Sequence, residues 1–157
     1  MEMVIDGHIV LFDEDDYLLL SLFKWRVYKF SKKNAPDIFY AQTHIGNKRI
    51  YMHKLILRGC INEVDHKNRN GLDNRKSNLR NATRSQNSAN KPSYKGTSKF
   101  KGVCKANTVS DRYRAWIMID GKSIYLGSFK EERDAAIAYN EAAFKAWGEF
   151  ALLNTVD

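Results

Sequence analysis

Apolar and polar positions divide the chain into three regimes. From Met3 to Leu11, short apolar pieces flank an Asp6-Gly7 pair, which predicts two small strands around a tight turn. Asp13 is placed to cap a helix over Glu14 to Leu22, with acids in its first turn and Leu18, Leu19 and Leu22 recurring at helical spacing. Trp25–Tyr28 and Phe39–His44 predict strands separated by a Lys/Asn/Pro loop. A turn at Gly46-Asn47 leads into Ile50-Tyr51-Met52, and His53 opens a short apolar segment, Leu55–Leu57, closed by Gly59.

From Glu63 to Lys91 apolar residues almost vanish. The turn-rich run from Asn70-Gly71 through Asp73-Asn74 to Asn78 predicts an ordered loop, and Ser85 is a suitable N-cap for a helix through Asn90. Lys91–Lys99, polar with Pro92 and Gly96, is expected to be a linker between lobes, either lying along the DNA backbone or disordered without contact.

Periodicity returns after Phe100. Three strands are predicted, at Phe100–Lys105, Tyr113–Ile119 and Lys122–Gly127, with an Asp120-Gly121 turn between the last two. Alternation in the second puts Ala115, Ile117 and Ile119 on the core side, joined by Ile124 and Leu126, and Arg114, Trp116 and Met118 on the other beside Tyr125. A helix from about Glu131 to Trp147 presents the small stripe Ala135, Ala138 and Ala142 to that sheet, and Gly148 ends it.

At 157 residues and 43% hydrophobic, the chain has material for one modest core or two small lobes, and two are expected. No apolar run reaches the length of a membrane span and no signal-peptide pattern opens the chain, so an intracellular, membrane-free protein is expected. Cys60 and Cys104 form no CxxC pair and are read as reduced packing residues. The net charge of +8 is concentrated: residues 61–110 hold eleven Lys/Arg against three Asp/Glu, while the remainder holds fifteen of each. Such a local excess fits two readings equally on charge alone, the electrostatic footprint of a nucleic-acid-binding surface or a solvated charged face.

That basic segment also holds the candidate chemistry. Asp65 is a hard oxygen donor suited to Mg²⁺ or Mn²⁺, and His66, with an ordinary pKa near neutrality, is a natural general base. An acid beside a histidine, followed by spaced asparagines in a basic surround, suits a metal ion held against a phosphodiester. His8, His44 and His53 lack an acid neighbour at useful spacing and are assigned structural roles, although His53 stands just ahead of the polar segment.

Asp65-His66, Asn74-Arg75, Asn78-Leu79-Arg80 and Asn87 together resemble the HNH endonucleases of the phage homing type. The resemblance implies a ββα-metal core at about 61–90. In it Asp65 and Asn87 hold one divalent metal, His66 activates water, Asn78 braces the loop, and Lys67, Arg69, Arg80 and Arg84 face phosphate. Asn87 stands where many members carry a final His, which suits a hard cation rather than zinc. Asn90, one turn on, is the rival ligand.

Lys101-Gly102-Val103, Tyr125–Phe129, Ala135–Tyr139 and Ala142–Phe144 resemble the AP2 DNA-binding domain over roughly residues 98–154. That likeness implies a three-stranded antiparallel sheet laid in the major groove of double-stranded DNA with a helix behind it. Lys101, Lys105, Arg114, Trp116, Met118 and Tyr125 match its exposed sheet positions. Cys104, Ala106, Met118 and Ser123 stand where plant members present arginine to guanine, so no recognition sequence carries over.

The expected protein is therefore α+β: an HNH lobe over 1–90, a basic linker over 91–99 and an AP2-like lobe over 100–157. Its expected activity is site-specific, divalent-metal-dependent DNA cleavage. A monomer with one metal site nicks one strand, and a double-strand break needs a dimer or two events. Two rivals are an AP2-type regulator with an inactive nuclease lobe and an RNA-binding module.

Overall fold

The fold was taken from a computed structural model, which describes residues 1–31, 35–93, 96–106 and 111–156. Lys32–Asn34 of the expected Lys/Asn/Pro loop, and Tyr94 and Lys95 of the expected linker, lie outside the described residues. The chain is mixed α+β, with several small antiparallel sheets and short helices in two compact units, 1–84 and 85–157. No helix among the described residues is long and apolar enough to cross a membrane.

In the first unit, β1 (Glu2–Ile5) and β2 (His8–Leu11) pair across a turn whose Asp6 and Gly7 both have positive φ, 49° and 81°. This is the backbone that an Asp-Gly pair favours in a two-residue hairpin. A single 3-10 turn, Glu14–Asp16, leads into α1 (Tyr17–Ser21). Leu18 and Leu22 do not anchor it, being 79% and 75% exposed; Leu20 is fully buried instead. The 3-10 start shifts the helical phase that the leucine spacing assumed. Nor does the Asp13 side chain cap the helix; its Oδ2 accepts the Lys76 backbone N–H at 2.7 Å.

β3 (Arg26–Phe30), β4 (Ile38–Ile45) and β5 (Lys48–Tyr51) form a meander, followed directly by α2 (Met52–Ile56). The hairpin of β6 (Glu63–His66) and β7 (Leu79–Ala82) then pairs Asp65 with Arg80 and His66 with Leu79. Val10, Phe12, Leu20, Met52, Val64 and Leu79 meet in the core beneath these elements.

The second unit takes in most of α3 (Arg84–Ala89), so the division falls ahead of the expected 90/91 boundary. Hydrogen bonds explain this grouping. The Leu152 N–H and the Lys101 ammonium both donate to the Ala89 carbonyl, and the Trp147 indole donates to the Ser85 hydroxyl at 3.1 Å. Ser85 thus lies inside α3, which begins at Arg84, and is not its N-cap.

β8 (Val103–Lys105), β9 (Tyr113–Ile119) and β10 (Lys122–Phe129) form an antiparallel sheet in the order β10-β9-β8, with α4 (Glu132–Trp147) on one face. Ala115 and Ile117 are buried, as period two requires, while Ile124 on the edge strand stays 43% exposed. The buried stripe of α4 is Ala135, Ala136, Tyr139 and Ala143; Ala138 and Ala142 flank it half-buried. The Tyr139 ring lies so close to Gly102, at φ 77°, that any Cβ there would overlap it. Cys60 and Cys104 are free thiols.

Candidate active site

The site is built on the β6–β7 hairpin and the loop between its strands. Backbone bonds close the loop's neck, with Lys67 N–H to the Asn78 carbonyl at 2.9 Å and Arg69 N–H to the His66 carbonyl at 2.8 Å. Asn78 then works in both directions: its Oδ1 accepts the Asn68 N–H at 3.0 Å, and its Nδ2 donates to the Asp73 carbonyl at 2.8 Å. The Asp73 carboxylate accepts from Arg75 at 2.7 and 2.8 Å and from Asn68 at 2.8 Å, so Arg75 holds its carboxyl below the ordinary range. Asn70 and Asn68 each bond backbone N–H groups two residues on, the turn chemistry asparagine favours.

The loop is also tied to the N-terminal hairpin. Leu11 donates to the Leu72 carbonyl at 2.9 Å and accepts from Asn74 N–H at 2.8 Å. Gly71 passes so close to β4 that a Cβ would overlap the Phe39 carbonyl oxygen and the Tyr40 ring. A polar segment thereby becomes rigid without a large core of its own.

Asp65 and His66 end β6, both buried, with side chains on opposite faces of the strand as adjacent strand residues must be. The Asp65 Oδ2 accepts from Arg80 Nε at 2.8 Å across the hairpin. Arg80, expected to face phosphate, is therefore turned inward with its side chain only 11% exposed. A buried carboxylate needs a paired cation, and this requirement overrides the general attraction of DNA for arginine.

His66 is enclosed by rings. Its centroid lies 5.0 Å from that of His53, perpendicular to it, and 5.8 Å from that of Tyr40. Burial lowers the His66 pKa, while the Asn74 side chain, Asp65 and Asp73 act in the opposite direction. The neutral imidazole is the form that can take a proton. His53, assigned a structural role on sequence, shares this pocket with Tyr40 and Tyr51. Those two tyrosines carried no sequence signal, because the contact depends on how β4, β5 and α2 fold together.

The hairpin thus carries Asp65 and His66 on opposite faces at the end of β6, with Asn78 at the neck of the loop just before β7. Asn87 is half-buried on α3 in the second unit, and Asn90, at the end of that helix, is buried. Among the described residues no three His, Cys, Asp or Glu side chains converge to hold a metal ion.

The other basic candidates divide. Arg69, with φ 64°, and Arg84 are exposed, whereas the Lys67 ammonium donates to the Ser77 carbonyl at 3.0 Å. Lys101, expected on the exposed sheet face, is directed to the Ala89 carbonyl and lies over the Tyr139 ring, because its ammonium satisfies the end of α3. Lys105 pairs with Asp111 at 2.9 Å on the surface. Trp116 and Tyr125 pair across β9 and β10 with centroids 4.7 Å apart, both exposed, beside Met118 at 61% exposure and half-buried Arg114.

Comparison with known proteins gives the class. The chain is 34% identical over 146 residues to an uncharacterized HNH endonuclease of Acanthamoeba polyphaga mimivirus, covering 91% of this chain and 73% of that protein. It belongs to the HNH endonuclease family. No family model matches the chain, and no solved structure does.

Proposed function

We propose that the chain is a site-specific, metal-dependent endonuclease of double-stranded DNA that nicks one strand per active site, as phage homing endonucleases do. The observation that carries this reading is the buried, neutral-favoured His66 at the end of β6, beside Asp65 and above a loop braced by Asn78. His66 takes a proton from the attacking water, and the ring cage restricts the direction from which that water arrives. Asn78 keeps the neck of the loop closed, fixing the strand end that carries the base. Asp65 and Asn87 would hold one divalent cation, Mg²⁺ or Mn²⁺, which supplies neutralisation of charge on the phosphate and the departing 3′ oxygen. The antiparallel β6–β7 hairpin followed by α3 supports a ββα-metal assignment.

The sheet of the second unit supplies the address. Its exposed face carries Trp116, Tyr125, Met118 and Arg114, and three antiparallel strands backed by α4 support an AP2-like mode in the major groove. Supercoiled plasmid is the test, with Mg²⁺, Mn²⁺ or EDTA, using wild type and His66→Ala. Open-circle product that needs the cation and is lost in His66→Ala, with DNA affinity retained, is expected. Equal loss of binding and cleavage, or nicking that persists in EDTA, overturns the assignment.

A further inference from the structure

One face of the β3–β4–β5 meander presents aromatic rings to solvent and leads to His66. Period two and the strand register place Tyr28 and Phe30 of β3, Tyr40 of β4, and Arg49 and Tyr51 of β5 on that face. The opposite face turns Val27, Phe39 and Ala41 toward the core of the first unit. Tyr28 and Phe30 are 42% and 37% exposed. From them the rings continue inward: centroids of Phe30 and Tyr40 lie 5.6 Å apart, and those of Tyr40 and His66 5.8 Å apart. Tyr51 closes the cluster at 6.0 Å from Tyr40 and 6.5 Å from Phe30. The three strands contain no Asp or Glu. Of their cations, Arg26 and Lys29 pair with Asp6 and Asp37, and Lys48 and Arg49 are exposed. Exposed apolar residues scattered singly are ordinary, whereas a contiguous ringed patch marks a surface that takes a ligand.

The rings restrict what that ligand is. Phe30 has no donor or acceptor and cannot hydrogen-bond to a base edge, and in an intact duplex the flat faces of the bases are covered by their neighbours. Stacking on such a ring needs a base that has left the helix. We propose that this face is a stacking platform for unpaired bases of the strand being cut, with Tyr28 and Phe30 taking the bases and Arg49 meeting the backbone phosphates. The run of rings ending at His66 sets the platform beside the scissile phosphate. The substrate is then a duplex opened for a few bases at the cut, not a uniform helix. This inference rests on the reading of His66 as the base.

The test measures binding by the full chain in EDTA, through the fluorescence anisotropy of labelled DNA: a blunt duplex, and the same duplex carrying an unpaired thymidine tail. Wild type is expected to prefer the tailed duplex. Tyr28→Leu combined with Phe30→Leu keeps apolar volume and removes the flat rings; it should weaken binding of the tailed duplex on the order of tenfold and leave the blunt duplex within about twofold. Tyr28→Phe, which keeps the ring, should bind both DNAs as wild type does. If the double variant does not fold, Tyr28→Leu alone, at the more exposed of the two rings, is put through the same comparison. Equal wild-type affinity for the two DNAs overturns the proposal, and so does unchanged binding by the leucine variants. An equal loss on both DNAs overturns it too, since the face then contacts paired DNA. Plasmid nicking is scored separately: a wild-type protein that prefers the tail but does not nick fails the nuclease reading and keeps the platform.

Discussion

Replacing Arg80 with methionine tests how the buried hairpin pair bears on both stability and metal binding. Arg80 and Asp65 face each other across β6 and β7 at 2.8 Å, with side chains 11% and 5% exposed. Removing one member of a buried pair costs about 3–5 kcal/mol, and the slight exposure of Arg80 together with the methionine that fills its stem places Arg80→Met near 3 kcal/mol. Because the chain has two units, a local reporter is preferable to global unfolding. The Lys67 amide, bonded to the Asn78 carbonyl at the neck of the loop, serves for hydrogen exchange. Its opening free energy should fall by about 3 kcal/mol, and Asp65→Asn combined with Arg80→Met should regain much of the loss because no charge is left unpaired. If Asp65 binds metal, Arg80 competes for it, so added Mn²⁺ should stabilise Arg80→Met more than wild type, by up to ~2.7 kcal/mol at a hundredfold excess over Kd. A loss below about 1 kcal/mol, the range of solvent-exposed pairs, refutes the structural reasoning. Equal Mn²⁺ stabilisation of the two proteins removes Asp65 from the metal site.

Three further outcomes are expected. Gly71→Ala drives a Cβ into the Phe39 carbonyl and the Tyr40 ring, and should destabilise the first unit by roughly 3 kcal/mol, the upper end for overpacking; an unchanged melting temperature counts against the close approach. The folded pKa of His53, about 3, lies below its ordinary 6.5, so the unfolded chain takes up its proton first. Its contribution is thus complete above pH 6.5 and is lost as pH falls toward 3, by at most about 4 to 5 kcal/mol. Denaturation at pH 7.5, 6.0 and 4.5 should show that decline in wild type and a shallower one in His53→Phe; a flat wild-type profile contradicts the burial argument. Trp116→Ala and Arg114→Ala should erase a specific footprint while sparing metal-dependent nicking of bulk DNA, and an unaltered footprint excludes the exposed sheet as the reading surface.

Elements whose cause is local were legible in the sequence. Asp6-Gly7 and Asp120-Gly121 adopt the paired positive φ angles that favour tight hairpins, alternation from Arg114 to Ile119 sorts buried from exposed, and Gly148 ends α4 at φ 53°. The asparagine-rich loop was legible for the same reason, since its hydrogen bonds span only a few residues. Elements decided by distant partners were not. The bond between Trp147 and Ser85 joins residues far apart in the chain, and the leucine anchoring α1 depends on a 3-10 turn that spacing does not reveal. The Tyr40, Tyr51 and His53 cage is assembled from three elements, each ordinary on its own.

Charge shows how the fold changes what a count implies. The basic excess of residues 61–110 suggests a uniform phosphate-binding surface, yet much of it has internal duties. Arg75 secures the Asp73 turn, Arg80 neutralises Asp65, Lys67 closes onto the Ser77 carbonyl, and Lys101 satisfies the Ala89 carbonyl. Each group is held by a partner at hydrogen-bond distance, where a directed bond outweighs diffuse attraction to a polyanion. The arginines and lysines around an HNH-type loop therefore cannot be assigned to DNA by sign alone. A loop rich in turn residues and poor in core residues needs cations to hold its own carboxylates and carbonyls. Arg69 and Arg84, both exposed, are better placed to meet a phosphate than the buried partner of the metal-binding candidate.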